Sequence, residues 1–350
     1  MKKISIVAIA VLTMVSCNKD KDAKTEKATE NKTETTATES AEQEREEAAP
    51  VKEILAIDID SAGAYKQSFL LEKGHTYPFT TLQKDIMKIT APNGQSESIT
   101  SESSDEVAFT VDDIKDNVYE ITINFVSKRS SQSNKGKSVI VDTKASAPKE
   151  EGLKNKWTVD KALTGNQLKM KMETSGKILS ISGFEPIYTK ISTTIGTLTK
   201  DAEVKKQLLE QTKAGFNEKI LKDQFSKNIL VLPETGAKVG AKWTKSENIS
   251  PDGKVKITTA YTLKSVENGV VTISISGGIP RQTDKQSQNG LTHSLSSELQ
   301  QSGTISFDQK TGWIKNQTIS VKSTQTESMT DGKQTESMSS VTNSTISVNP

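Results

Sequence analysis

The sequence is poor in most of the groups on which chemistry at a protein site depends. It has one cysteine, Cys17, and two histidines, His75 and His293. A single thiol cannot close an internal disulfide or build a cysteine-rich zinc site. Aromatic residues make up 5% of the chain and hydrophobic residues 33%, both low for a globular protein, so any core is thin. After Cys17 no apolar run approaches the roughly 18 residues that a membrane-spanning helix needs. The formal net charge is only +2, which the two lysines Lys2 and Lys3 account for. A chain so balanced lacks the electrostatic footprint of a nucleic-acid binder.

The beginning of the chain is where the apolar residues concentrate. Lys2 and Lys3 precede an apolar run from Ile4 to Val15, the length of a signal-peptide core and too short to cross a bilayer. The run closes on Met14-Val15-Ser16-Cys17, which resembles the bacterial lipobox. Ser16 is small enough to precede a signal-peptidase cut, and Cys17 supplies the thiol for a diacylglyceryl group. Residues 1–16 are therefore expected to be a lipoprotein signal peptide, cleaved between Ser16 and Cys17, with Cys17 lipidated. The acyl chains (palmitate among them), each adding about 0.8 kcal/mol per buried methylene, hold a protein at a membrane without any helix crossing it.

From Asn18 to about Val51 the chain is Lys, Glu, Thr and Ala without aromatics, a composition that cannot bury enough to offset the entropy of ordering. Residues 17–53 are expected to form a lipidated disordered tether with a span of about 30 Å. After Ile54 the texture changes to short alternating runs of Ile, Val, Thr and Tyr divided by Gly, Asn, Asp and Pro, the pattern of antiparallel strands and turns. Val118 to Phe125 and Val271 to Ile275 alternate at the period of half-buried strands. Between them, Val204, Leu208, Leu209, Phe216, Ile220, Leu221 and Phe225 recur at near-helical spacing behind the capping residue Asp201. This predicts one bent helix or two short ones over 201–227, bending near Gly215, with the apolar stripe in the core.

An internal duplication brackets that helical segment. In one series Gly74 to Tyr77 precedes the turn Pro92-Asn93-Gly94, then Phe109, Val111, Ile114, Asp116-Asn117, Tyr119, Ile121 and Ile123. In the other, Gly240 to Trp243 precedes Pro251-Asp252-Gly253, then Tyr261, Leu263, Val266, Asn268-Gly269, Val271, Ile273 and Ile275. The likeness extends from Met170, Met172, Gly176 and Ile178 to Ile305, Phe307, Gly312 and Trp313-Ile314. The expected fold is mainly β: two related antiparallel lobes, half-barrel or sandwich-like, over 54–199 and 228–350, with a central helical segment at 200–227. A last hairpin is expected from Ile314 to Val348 around Thr330-Asp331-Gly332-Lys333, with apolar positions at Ile319, Val321, Val341, Ile346 and Val348. Its middle is almost all Ser, Thr, Gln and Glu, a surface that water or glycans wet.

The stretches Leu71-Glu72-Lys73-Gly74-His75-Thr76-Tyr77-Pro78-Phe79 and Leu232-Pro233-Glu234-Thr235-Gly236-Ala237-Lys238-Val239-Gly240-Ala241-Lys242-Trp243 are similar to an uncharacterised lipoprotein family of Bacteroidota, a domain of unknown function. The resemblance implies a Gram-negative envelope and an outer-membrane lipoprotein, periplasmic or surface-facing. It brings no activity, cofactor or functional residue. Asn18-Lys19-Asp20-Lys21-Asp22 is similar to the charged signals that export such lipoproteins to the cell surface, and Asp60-Ser61-Ala62 resembles their O-glycosylation motif, with Ser61 as acceptor.

Catalytic groups are scarce. His75 lies inside the first strand motif, where a strand-end role is expected, and His293 is read in a polar loop without a nucleophile elbow. Asp112, Asp113 and Asp116 are read as solvated turn carboxylates, and Gly277-Gly278 as a bend or bulge after the Val271 strand. No metal or cofactor is expected. The functional expectation is a non-enzymatic envelope protein that binds something. One version displays a polar β surface to a partner protein or glycan. The other holds a lipid-like apolar ligand between the sheet and residues 201–227, by analogy with lipoprotein-carrier half-barrels, with Met170 and Met172 as lining or simply as core.

Overall fold

The computed structural model describes residues 53–248 and 255–350. The signal segment, Ser16, Cys17, the tether and the turn at Pro251 to Gly253 lie outside the described residues. Residues 55–350 form one compact unit. Its elements in chain order are the short strands β1 (Ile57–Ile59) and β2 (Tyr65–Gln67), then β3 (Thr76–Thr90), β4 (Ser96–Lys115), β5 (Val118–Asn134), β6 (Lys137–Asp142), α1 (Glu151–Leu163), β7 (Gln167–Glu173), β8 (Ile178–Ser182), α2 (Phe184–Leu198), α3 (Ala202–Gly215), α4 (Glu218–Ile229), β9 (Lys242–Asn248), β10 (Lys256–Glu267), β11 (Val270–Gln288), β12 (Leu291–Asp308), β13 (Ile314–Thr330) and β14 (Thr335–Val348).

Both lobes share one antiparallel sheet of twelve strands, ordered β8-β7-β5-β4-β3-β14-β13-β12-β11-β10-β9, with β6 on β5. β8 and β9 end the hydrogen-bonded path, so the sheet is not a closed barrel. Laid flat, eleven strands would span about 48 Å at the usual spacing. A single helix nevertheless reaches both ends. Lys222 of α4 donates from Nζ to the Leu179 carbonyl of β8 at 2.6 Å, and Lys227 pairs with Glu247 of β9 at 2.7 Å. A 12-residue helix is only about 18 Å long, so the sheet must curl strongly around it.

The two series repeat in three dimensions. Tyr77 faces Phe109 across β3 and β4, and Trp243 faces Tyr261 across β9 and β10. Val111 pairs with Ile121 just before a bulge, and Leu263 pairs with Ile273 before the same bulge. The connecting turns use positive φ at Asp116-Asn117 and at Asn268-Gly269, the geometry that suits a tight hairpin. Farther along, Met172 meets Ile178 and Phe307 meets Ile314, each beside a register shift. Both series run the same way along the sheet, and β14 lies between them as an added strand.

The stripe predicted over 201–227 forms two helices, α3 and α4, with Asp201 capping the first through the Glu203 and Val204 amides. Only its second half is core: Leu221 and Phe225 are buried, whereas Val204 and Leu208 on α3 are exposed. α3 is flanked by charge and packs against α2, not the sheet. Two helices also occur inside the stretch expected to be the first β lobe. α2 buries Ile187, Tyr188, Ile191 and Ile195 on one face.

Residues 56–72 cross the base of the sheet and tie the two series together. Phe69 N donates to the Thr174 carbonyl, while Ala56 N, Ile57 N and Leu70 N donate to the carbonyls of Lys310, Gln309 and Thr311. The buried Tyr119 hydroxyl donates to the Phe69 carbonyl at 2.7 Å and accepts from Leu71 N at 3.1 Å. Gln67 reaches the end of α4, donating to the Ile229 carbonyl and accepting from Val231 N.

Candidate binding surface

The space between α4 and the sheet is filled by protein. Phe225 sits edge-on to Phe79 and Phe109 at 5.7 and 5.0 Å, Phe109 meets Trp313 at 5.3 Å, and Met170 and Met172 are fully buried among them. The methionines are core. The aromatic and methionine side chains occupy the space where a cavity between the sheet and residues 201–227 is expected from the sequence.

Buried apolar residues crowd into one end of each of the long strands β3, β4, β5 and β11 to β14. In β4, 20 residues long, they are Val107, Phe109 and Val111. In β12, 18 residues long, they are Ile305 and Phe307. Strands usually run about 3–10 residues, so each of these continues well past the core. On the core side of that extension, cross-strand rows mix hydroxyls and aliphatics: Ile279, Leu299, Ser323, Thr342, Met87 and Ile99 stand in register. One row nearer the core is Asp85, a buried carboxylate that accepts from the Gln83 amide at 2.9 and 3.1 Å.

The opposite face is richer still in hydroxyls. Ser302, Ser320 and Thr345 form one row across β12, β13 and β14, and Gln300, Lys322 and Asn343 the next. These six, with Gln301, Val321 and Ser344 between them, line an open depression of about 400 Å³. The second depression, about 300 Å³, lies along the outer side of α4 between Glu218, Lys219, Lys222 and Asp223. The extension begins at a glycine corner. Gly277 and Gly278 inside β11 have φ of +152° and +148°. An added Cβ there would lie 2.1 Å from the Thr258 carbonyl oxygen and 1.9 Å from that of Leu299, so glycine is obligatory. The expected bend is thus within the strand, not after it.

The hairpin of residues 314–348 forms around Asp331, whose carboxylate accepts from the Lys333 and Gln334 amides. β13 is paired with β12 and β14 with β3, so this hairpin offers side-chain faces and no free edge. Val341 lies on the opposite face from Ile319, Val321, Ile346 and Val348, because its cross-strand partner is Thr324 while Ile346 faces Ile319.

The two copies of the aromatic pair differ in surroundings. Tyr77 and Phe109 are buried beneath Trp313 and Phe225. Trp243 and Tyr261 stack in parallel, with ring centres 5.6 Å apart, and stay half-buried near the free edge of the sheet. Lys245 lies over the Tyr261 ring at 5.7 Å, and loss of hydration lowers its ammonium pKa. Burial raises the Tyr261 phenol. Sequence reasoning matched these aromatics by spacing but could not foresee that only one pair would be covered.

Neither histidine joins a catalytic arrangement among the described residues. His75 is exposed and meets the Tyr77 ring edge-on at 4.7 Å. His293 lies in strand β12, not in a loop, because the polar hairpin of β11 and β12 is longer than its aliphatic part suggests. Its Nε2 is 2.7 Å from Glu327 Oε1, with Gln286 and Met329 as cross-strand neighbours. Asp113 is bound at 2.7 Å by both Lys73 and Lys115, whose hydrogen bonds hold its carboxyl well below the usual range, and Asp112 is paired with Lys169. Among the described residues no cluster of His, Cys, Asp and Glu could hold a metal ion. Ser61 is exposed in the β1–β2 turn, which Asp60 closes by accepting from Ala62 N and Ala64 N. No described helix is long and apolar enough to cross a membrane.

The profile of a family of unknown function, DUF6263, matches residues 116–314. No curated protein matches. Among solved structures, one concerned with lipid–protein interactions in lipovitellin aligns with 79% of the chain at 10% identity and a TM-score of 0.36. The chain spans a quarter of that protein's length, 25%. An outer membrane channel from Pseudomonas putida F1 aligns over 83% of this chain and 100% of its own at 8% identity, TM-score 0.18. Salmonella typhi OmpF in complex with daunomycin aligns over 79% and 99% at 6% identity, TM-score 0.16.

Proposed function

The chain belongs to the DUF6263 family of unknown function, and from that premise we propose that it is a non-catalytic binding protein of a bacterial envelope, anchored through lipid on Cys17. In this reading the long strands beyond the core are the working part, and they present their polar faces to a partner protein or glycan. The observation that carries it is the confinement of buried apolar residues to one end of strands 14 to 20 residues long. Backbone ordered without apolar burial gains little stability, since fixing each residue costs about 1–2 kcal/mol. An extension of this size on both faces of a sheet therefore serves recognition.

Anchoring is tested by fractionation: wild type stays with membranes and Cys17→Ala is released. Recognition is tested by charge insertion. Thr324→Lys with Ser339→Lys, away from the core, should abolish capture of envelope components while leaving the unfolding midpoint unchanged. Retained capture would end this reading.

The half-exposed aliphatics of two adjacent core-side rows, Leu299, Met87 and Ile99 in one and Val321 in the next, favour a second reading, an apolar ligand lying along that face. Native mass spectrometry with organic extraction, on protein purified gently from envelopes, distinguishes the two. A reproducible bound lipid mass supports the second; a clean apo mass supports the first.

A further inference from the structure

The depression across β12, β13 and β14 has the chemistry of a ligand site. Its six side chains on the face away from the core are Gln300, Ser302, Ser320, Lys322, Asn343 and Thr345. None of them has a hydrogen-bonding or ionic partner within the described residues. Some comparable groups on the sheet satisfy one another, such as Thr76 with Thr110, Thr90 with Ser96, Arg129 with Glu102, and Gln301 with Thr259, but no such pairing closes this depression. These six polar groups with unused capacity surround a hollow of about 400 Å³. The volume is at the small end of the range of about 300–1,000 Å³ for small-ligand sites.

The lining selects the ligand class. Three hydroxyls and two amides both donate and accept, which matches a ligand whose surface is itself hydroxyl groups. None of the six is aromatic or aliphatic, so a lipid chain or flat aromatic gains nothing there. Lys322 is the one charged group, and it is cationic. The next same-face residue up β12, Glu298, is taken by Arg281, so no carboxylate neutralises the ammonium.

We infer that this depression binds a saccharide unit carrying one anionic group, with Lys322 meeting the anion and Gln300, Asn343 and the three hydroxyls meeting the sugar hydroxyls. The assignment rests on the reading of the long strands as a binding surface and gives that surface a ligand. Lysine acts here as a point charge, without the bidentate geometry of arginine, so carboxylate, sulfate and phosphate sugars share the chemistry.

The test is calorimetric titration of the full chain with three probes: a glucuronic-acid-containing tetrasaccharide, a sulfated one, and a neutral gluco-tetraose. At least one acidic probe is expected to bind at least fivefold more tightly than the neutral one, and to weaken with added salt. Lys322→Ala should remove that preference, and Asn343→Ala should weaken binding of acidic and neutral sugars alike. Both positions are exposed, and circular dichroism of each variant confirms that the sheet is intact. Absence of binding by either acidic probe, or binding unchanged in both variants, overturns the assignment. If the wild-type chain still captures envelope components while neither acidic probe binds it, the saccharide site falls and the broader binding reading stands.

Discussion

Gly312 lies in the turn between β12 and β13 with φ of +76°, and an added Cβ would sit 2.1 Å from the Ser68 carbonyl oxygen, 3.2 Å from the Ser68 carbonyl carbon and 3.3 Å from the Ala56 Cβ. Gly312→Ala therefore meets two separate penalties. Left-handed backbone costs a residue with a Cβ about 1–2 kcal/mol. Overpacking against backbone, which cannot rotate aside, adds about 1–3 kcal/mol. Gly332, in the β13–β14 turn at φ +88°, has nothing within 4 Å of its added Cβ, so Gly332→Ala meets the first penalty alone. In parallel urea unfolding, Gly312→Ala should be less stable than Gly332→Ala by about 1–3 kcal/mol. The clash acts on the contact between the turn and residues 56–72, so hydrogen exchange in Gly312→Ala should accelerate at Ala56, Ile57 and Leu70, whose amides bond to the same turn. Equal stability of the two variants, within the ~0.5 kcal/mol scatter of surface changes, would refute the claim that the Gly312 turn is a docking site for residues 56–72.

Phe225→Ala removes the ring that α4 places between Phe79 and Phe109 and should cost about 3–5 kcal/mol in chemical unfolding, or less if Trp313 and Leu221 collapse into the space. Asp113 titrates below ordinary carboxylates because Lys115 and Lys73 bond its charged form. Its folded pKa lies under the unfolded value of about 3.9, so the contribution is present above that value and is lost as pH falls through the folded one. In the Lys73→Met, Lys115→Met double variant, the Asp113 carboxyl signal should titrate at a higher pH by NMR. The stability change should be small, because both lysines are exposed and screened.

What could be read along the chain followed from periodicity. Tyr119, Ile121 and Ile123 alternate, and the backbone of an extended strand turns alternate side chains to one face, so their burial was predictable. The turns at Asn93-Gly94 and Asp331-Gly332 follow from residues that tolerate positive φ or close an Asx turn. α1 and α2 escaped because Glu151 to Leu163 and Phe184 to Leu198 mix Thr, Lys and Asn into their periods, and β-branched residues weigh toward strand. Pattern carried the length of the polar strands poorly. Leu295, Leu299 and Val321 are spaced too widely among Ser, Thr and Gln to mark a strand by burial.

The sequence by itself determined the mainly β class, the duplicated hairpin series, the capped helical segment and the scarcity of catalytic side chains, because each is a property of neighbours along the chain. Only the tertiary structure decided that both series share one sheet, that α4 reaches its two ends, and that residues 56–72 dock on Gly176 and Gly312. The same holds for which aromatic pair is covered and where unpaired polar groups gather. Those outcomes depend on residues far apart in sequence, and short-range periodicity says which face a side chain takes but not what will lie on it.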